Sequence, residues 1–464
     1  MKRLAVVALV LAFGVAGCTA REPRARAPEA RPTPSGPATT AAPSGSRLVL
    51  VGHEPLFERG MNAGLALRFP YAYVGNRTDP SGEKAHPGIL VVDVGRPADP
   101  RVVGEIASGR TGTSTRELRV WPEQDLLIVL NLRCMAAAHV CAGGGRPSLS
   151  FYDVRGERAR APELLFEHAT SHELHEMFLW VDPERSSRAL LYVTTDTPGP
   201  DAVGLVVLDI SNVRRGSVRE VARWSGNREL GGSLHSLAVA GDGERAYLAH
   251  LAGGFAMLDT RAVARGDDRA TLRLITPTQA AVRWSPGPHS ALPVPGSTLV
   301  LTTDEVYGGS ASCPWGWARL IDVADPERPR LAGELRTDQN QHSACVSARP
   351  STRYSYSSHN PTIAGSVVLV SWHAAGLIAG SLDGGRIART SAFVPRPLPR
   401  VGTEDPRLTQ GPLKIAVWST PIVSEGLIYV VDVRNGLYVL RYEGPGADAL
   451  ARLRFSEGSS NLGE

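Results

Sequence analysis

The stretch GILVVDVGRPADPRVVGEI, Gly88–Ile106, reads as two short β-strands around a proline corner. Apolar residues run from Ile89 to Val92, Asp93 and Gly95 break the run, Arg96-Pro97-Ala98-Asp99-Pro100 turns the chain, and Val102–Ile106 resumes it. Proline has no N–H for a ladder, so it marks the turn between strands. The phrase returns as ARLIDVADPERPRLAGEL, Ala318–Leu335, and its first half recurs in Ser150-Phe151-Tyr152-Asp153-Val154 and in Gly204–Ile210.

Most copies follow a β-hairpin with period-two alternation, in which polar residues flank two apolar strands and a turn. The hairpins run from Asn62 to Asn76, Glu117 to Asn131, His175 to Asp196, His235 to His250, His289 to Asp304, His359 to His373 and Ser419 to Asp432. Four short strands repeating every ~40 to 50 residues are the signature of propeller blades. The expected fold is therefore all-β: a single seven-bladed β-propeller of four-stranded antiparallel blades. The last blade lacks a strand after Gly436–Leu440, and Arg47–Val51 is expected to supply it and close the domain, leaving no long bare edge.

The third-strand phrase with its Asp-Pro corner resembles the LVIVD-repeat family of bacterial surface β-propeller lipoproteins. Gly88–Ile106 and Ala318–Leu335 are the clearest copies. PHSALPVPGSTLVLTTDEVYGG from Pro288, CPWGWARLIDV from Cys313, YSSHNPTIAGSVVLVSWH from Tyr356 and GLIYVVDVRNGLYVLRY from Gly426 are similar too. The resemblance spans Arg47 to Tyr442 and implies the fold and a surface location; it implies little about activity.

The ends fit that location. Lys2-Arg3, an apolar run to Phe13 and Val15-Ala16-Gly17-Cys18 read as a lipoprotein signal peptide, residues 1–18, with Cys18 as the lipidated residue; an ordinary secretory signal is the alternative. Residues 19–46, rich in Pro, Ala, Thr and Arg, have almost nothing to bury and read as a disordered tether. The propeller is expected over 47–446, with 447–464 a peripheral C-terminal extension. The protein is expected outside the cytoplasm, anchored to a bacterial membrane through its lipid, and monomeric.

A formal charge of +4 on 464 residues, with basic side chains scattered, argues against a nucleic-acid partner. No P-loop, dinucleotide fingerprint or GxSxG elbow is present, so no nucleotide cofactor is expected. Four cysteines remain beyond Cys18, and in an exported chain an even number argues for disulfides, here Cys134 with Cys141 and Cys313 with Cys345. A metal-thiolate site is the competitor, without any CxxC spacing to support it. Trp315-Gly316-Trp317 reads either as an exposed aromatic patch or as packing between blades.

In a propeller, the start of each first strand and the end of each second lie at one mouth of the central channel. This brings together His235 with His250, His289 with Asp304, His359 with His373, and His175 with Asp196. Imidazole and carboxylate converging on a channel are what Zn, Fe, Mn, Cu or Ni would take. The expected ligands are His235, His289 and His359, with His250, His373 and Asp304 as further ligands or their orienters, and Glu305 and Glu117 as candidate general bases. The competing reading has these groups hydrogen-bonding the next blade's backbone. HELHE at His172–Glu176 is not a zinc-protease motif, because HExxH needs the second His four residues after the first on one helical face, and here it comes three after in a strand context; His172 and Glu176 are read either in a solvated loop or at the channel mouth. Two functions follow: a surface scaffold binding a protein, glycan or small molecule on the histidine face, or a metal-dependent hydrolase or oxidase. Lactonases and methanethiol oxidases are propellers with metals or histidines in their channels, an analogy of architecture alone.

Overall fold

A computed structural model of the chain describes residues 45–106, 110–134, 140–195, 202–268, 270–307, 313–348 and 353–463. Cys18, expected to carry the lipid, and the channel-face candidate Asp196 lie outside the described residues. The architecture is all-β and its sheets are antiparallel meanders. After β1 (Arg47–Glu54) comes a first meander of β2 (Asn62–Arg68), β3 (Tyr71–Asn76), β4 (Ile89–Asp93) and β5 (Arg101–Ile106). The second comprises β6 (Thr113–Trp121), β7 (Leu126–Arg133), β8 (Ser148–Asp153) and β9 (Glu163–Ala169). These two form one eight-stranded sheet joined through the pair Asn76 and Thr115.

Four separate four-stranded sheets follow. The strands are β10 (Leu174–Val181), β11 (Ala189–Thr195), β12 (Leu205–Asp209) and β13 (Arg219–Trp224), then β14 (Ser236–Val239), β15 (Arg245–Ala249), β16 (Phe255–Asp259) and β17 (Arg273–Leu274). Next come β18 (Ser290–Pro293), β19 (Leu299–Thr303), β20 (Ala318–Asp322) and β21 (Arg330–Leu335), then β22 (Pro361–Ala364), β23 (Val367–Ser371), β24 (Leu377–Asp383) and β25 (Arg386–Phe393). The last sheet has five strands, with β26 (Ile422–Ser424), β27 (Leu427–Asp432), β28 (Gly436–Glu443) and β29 (Phe455–Glu457) in the order β1-β28-β27-β26-β29.

The repeated aspartate of the third strands has a local cause. Asp93 Oδ1 accepts from Gly95 N at 2.9 Å, Asp209 Oδ1 from Ser211 N at 3.0 Å and Asp322 Oδ1 from Ala324 N at 2.9 Å. Each carboxylate closes a small turn on its own backbone and so stops the strand. The fourth strand then bulges against the third, at Val91/Val92 in the first meander and at Leu320/Ile321 in the fifth.

Apolar side chains between successive meanders form the core. Ile128, Phe151, Leu179 and Leu191 bind the second to the third, and Leu65, Val74 and Leu90 pack with Ile422, Tyr429 and Val439, bringing the first meander against the last sheet. Each such side chain contributes about 1.5–3 kcal/mol on burial. The first strands also meet: β2 contacts β6, β6 contacts β10, β10 contacts β14, β14 contacts β18, β18 contacts β22, and β26 contacts β2.

The first and last strands of the described residues are both built into the last sheet. Arg47 pairs with Glu443 and Leu50 with Leu440, which is the pairing expected for the N-terminal strand. The C-terminal segment, expected to be peripheral, is not. After a short helix, Ala447–Arg452, β29 pairs with β26, and the chain beyond it runs on to β10. There Leu179 N donates to Ser459 O at 3.1 Å, Asn461 N to Leu179 O at 3.1 Å, and the Asn461 side chain takes both Val181 N (2.7 Å) and Val181 O (2.8 Å). Ser456 Oγ donates to Ile363 O at 2.9 Å and Arg119 Nε to Ser459 O at 3.3 Å. One tail thus touches β6, β10, β22 and β26. A Cβ at Gly458 would lie 1.9 Å from Pro361 O, so only glycine passes that point.

Candidate metal centre

Five histidines come from successive meanders and lie side by side. His175 is in β10, His235, His289 and His359 stand just before β14, β18 and β22, and His373 follows β23. Ring centroids are 4.4 Å apart for His175 and His235, 4.0 Å for His235 and His289, 4.4 Å for His289 and His359, and 5.3 Å for His359 and His373. Hydroxyls of neighbouring strands fix this spacing. Thr194 Oγ1 donates to His235 O at 2.8 Å and Ser236 Oγ to His289 O at 2.6 Å, and Thr303 Oγ1 donates to His359 O. His373 has a φ of +32°, a conformation that a residue with a Cβ adopts only where its surroundings enforce it.

Glu305 stands at the centre of the row. Its Oε2 is 3.4 Å from His289 Nε2, and its Oε1 is 3.4 Å from His359 Nε2 and 3.3 Å from His373 Nε2. His359 Nδ1 lies 2.7 Å from Trp418 O. A carbonyl only accepts, so Nδ1 carries the proton and the neutral ring presents a bare lone pair at Nε2. His289 is arranged alike: Nδ1 is 2.9 Å from Ser290 Oγ, whose own hydroxyl donates to Asn360 Oδ1 at 3.3 Å. His289 Nε2, His359 Nε2 and Glu305 Oε1 are buried and make no hydrogen bond. Acceptor therefore faces acceptor across the carboxylate.

A proton could lie between them, but burial opposes it. Burial lowers the His359 imidazole to about 3, and burial, with His235 and His359 nearby, holds His289 well below its ordinary range. Both rings are neutral bases at pH 7. Burial alone would raise Glu305, but the facing His359, His289 and His373 hold its carboxyl well below the ordinary range. Ligand atoms on a tetrahedral ion with bonds of about 2.0–2.1 Å stand roughly 3.3 Å apart. Such an ion fits the separations found here. Three overlapping groups of candidate ligand atoms lie in the row: His175, Glu176 and His235; His235, His289 and Glu305; and Glu305, His359 and His373.

The remaining candidates are placed elsewhere. Asp304 has its carboxylate on Arg319, Trp284 Nε1 (2.8 Å) and Trp317 N (3.3 Å), so it belongs to none of these groups. Burial raises Asp304 to about 6, against the pull of Arg319. His250 is buried with its ring 5.9 Å from Trp224 and is outside the three groups as well; burial lowers it to about 4. Glu117 lies in a buried ion cluster, 3.3 Å from Arg119 and 3.8 Å from Arg116, rather than beside an imidazole as a base. Glu305 stands as a ligand candidate rather than as a base.

Glu176, read either in a solvated loop or at the channel mouth, is buried in β10, 3.2 Å from Arg116, and burial, then the charge of Glu117, raises it to about 7. His172 is half-buried, 3.8 Å from Glu220. Trp418, which the sequence reading passed over, receives Arg116 at 5.0 Å and Arg77 at 5.4 Å over its face and lies 4.7 Å from His359. Trp315 and Trp317 are buried, the packing alternative: Trp315 lies against Tyr356, and Trp317 between Arg319 and Arg336. Disulfides join Cys134 to Cys141 and Cys313 to Cys345.

A cavity of 20 Å³, enough for one water, lies against the residues that follow the histidines: Glu176, Ser236, Ser290 and Asn360. Gly458 and Ser459 of the tail line its other side. Solvent reaches the row at His235, which is only half-buried, whereas His289, His359 and His373 are fully enclosed. Comparison of the chain with protein-family models gives no match, and comparison with curated proteins gives none either.

Proposed function

We propose that the protein is a lipid-anchored, extracytoplasmic seven-bladed β-propeller that binds a transition-metal ion through His289, His359, His373 and Glu305 at one mouth of its central channel. The seven-bladed reading is supported by the succession of meanders, by first strands that touch in sequence order, and by the packing of the first meander on the last sheet. The kinship with LVIVD-repeat lipoproteins rests on the repeated third strand and its proline corner. Two disulfides suit an oxidising compartment outside the cytoplasm.

One observation carries the metal reading. His359 has its only proton committed to Trp418 O while its other nitrogen meets a carboxylate oxygen at 3.4 Å. Three imidazoles and one carboxylate suit zinc, iron, manganese, copper or nickel. The test is elemental analysis of the chain purified without a histidine tag or chelator, with metal then removed and added back. Near-stoichiometric transition metal is expected; protein that is metal-free and takes up none would overturn the reading.

The half-buried His235 favours a second reading, a metal-dependent hydrolase or oxidase, because it gives a small substrate a way to the row. Turnover by metal-loaded but not metal-free protein would establish it.

A further inference from the structure

We infer that the row has a second metal site, held by His175, Glu176 and His235, whose coordination is open to an exchangeable ligand. The inference rests on the reading above only in taking imidazoles of this row as ligands. His175 and Glu176 belong to it alone, while His235 also falls in a candidate group with His289 and Glu305.

His175 Nε2 and His235 Nε2 are 2.8 Å apart, with rings at 75°, and share a hydrogen bond that an ion between them would replace. Two ligands at right angles on an ion with bonds of about 2.0–2.1 Å stand roughly 2.9 Å apart, so the pair matches one edge of such a shell. Candidate ligand atoms of His175, Glu176 and His235 lie within 4.8 Å of one another. Glu176 Oε1 receives Arg116 Nη2 at 3.2 Å, and a carboxylate has a second oxygen to offer.

Two of the three residues, Glu176 and His235, are also fixed relative to each other by one hydroxyl. Thr194 Oγ1 accepts from Glu176 N at 3.0 Å and donates to His235 O at 2.8 Å, locking the two chain segments together across neighbouring sheets. This positioning is what a metal site needs from its supporting residues.

The two sites differ in kind. At the first, Glu305 meets His289 through one oxygen and His359 and His373 through the other, and the three imidazoles are enclosed, which is the character of a closed site. Three donors make the second, with His175 and Glu176 buried and His235 half-buried. Two imidazoles and one carboxylate with open positions are the donor set of sites that bind water, dioxygen or a small anionic ligand. A small molecule that meets metal in this protein would meet it here.

The experiment is titration of the metal-free full chain with Co(II), with bound metal counted after gel filtration. The same count is made on His175→Asn, His235→Gln and His359→Ala, each checked for folding by thermal unfolding. Wild type is expected to hold two equivalents, and the His175 and His235 variants one. Azide is expected to shift the visible spectrum of wild type but not of the His175 and His235 variants. One equivalent in wild type, kept by His175→Asn and His235→Gln but lost by His359→Ala, would overturn the second site and leave the first. One equivalent lost by His175→Asn and His235→Gln but kept by His359→Ala would support the second and overturn the first. No uptake by folded wild type would overturn both.

Discussion

His359 and Glu305 face one another as two acceptors, Nε2 to Oε1 at 3.4 Å, because the only proton of the neutral ring is held by the carbonyl of Trp418. A glutamine at 305 would offer an amide N–H to that nitrogen. In the presence of chelator, Glu305→Gln is therefore expected to be more stable than wild type by about 1 kcal/mol, the worth of a buried hydrogen bond made. It is expected to bind less metal. Chemical denaturation with and without chelator checks both halves; a variant less stable than wild type in chelator would count against facing acceptors.

Replacing His289 and His359 together with alanine is expected to remove the metal at Glu305 and leave the fold. The apolar packing between meanders does not depend on either ring. The check is far-UV circular dichroism beside metal content, and a folded double variant with unchanged metal would reject the ligand assignment.

Asp79 makes the stability depend on acid. Its buried carboxylate accepts from Gly112 N at 2.7 Å, Ala142 N at 3.1 Å and Lys84 Nζ at 3.0 Å, and from the Ser81 hydroxyl. Burial alone would raise its pKa, but these donors hold it at about 2 against an ordinary 3.8. A lowered folded-state value means that the stabilisation is complete above about pH 4 and is lost as pH falls toward 2. Asp79→Asn is expected to cost about 1–3 kcal/mol at pH 7. Its curve of stability against pH should meet that of wild type near the acid end, and parallel curves would refute the assignment.

The bond between Cys313 and Cys345 spans a sequence separation of 32. Closing a loop of that length stabilises by about 3–4 kcal/mol through the unfolded chain. Cys313→Ser with Cys345→Ser is expected to lower stability by that order, seen as a lower denaturant midpoint with a steeper slope, because the unfolded chain without its cross-link is more open.

Gly458→Ala tests the tail. The new methyl would collide with Pro361 O, so the tail must lift from the inner strands. A loss of 2 kcal/mol or more is expected, on the order of other severe core disruptions. Asn461→Ala, which removes two hydrogen bonds to Val181, is expected to cost about 1–3 kcal/mol. Faster hydrogen exchange at Leu179 and Val181 would accompany both.

Strand order was legible in the sequence because proline corners and aspartate turns are local chemistry. Gly88–Ile106 and Ala318–Leu335 became β4 with β5 and β20 with β21. The imidazole row was legible too, since His235, His289 and His359 each precede a first strand. The carboxylates were not. Asp304 and Glu305 are neighbours just past β19, where the chain has left the ladder, and alternation no longer says which of them turns to the imidazoles. Arg319, two strands' worth of sequence away, decides it by taking Asp304. Glu176 was harder to place for a related reason: HELHE straddles the start of β10 at Leu174, and its polar composition alone does not separate a solvated loop from a strand at the channel mouth. The tail carried no periodic signal at all, since its hydrogen bonds are to distant strands.

The five-stranded sheet is bounded on one side by the first strand of the described chain and on the other by the last. Arg47 and Glu443 must find each other across nearly the whole sequence, and β29 can dock only after that sequence exists. Folding in the order of synthesis can stack the early meanders but cannot complete the domain. Its contact order makes completion a slow, late event. A chain lacking β29 and the residues just after it would lose Gly458 and Ser459 from the lining of the cavity beside Ser236, Ser290 and Asn360, so that enclosure is assembled only once both edges of the last sheet are in place.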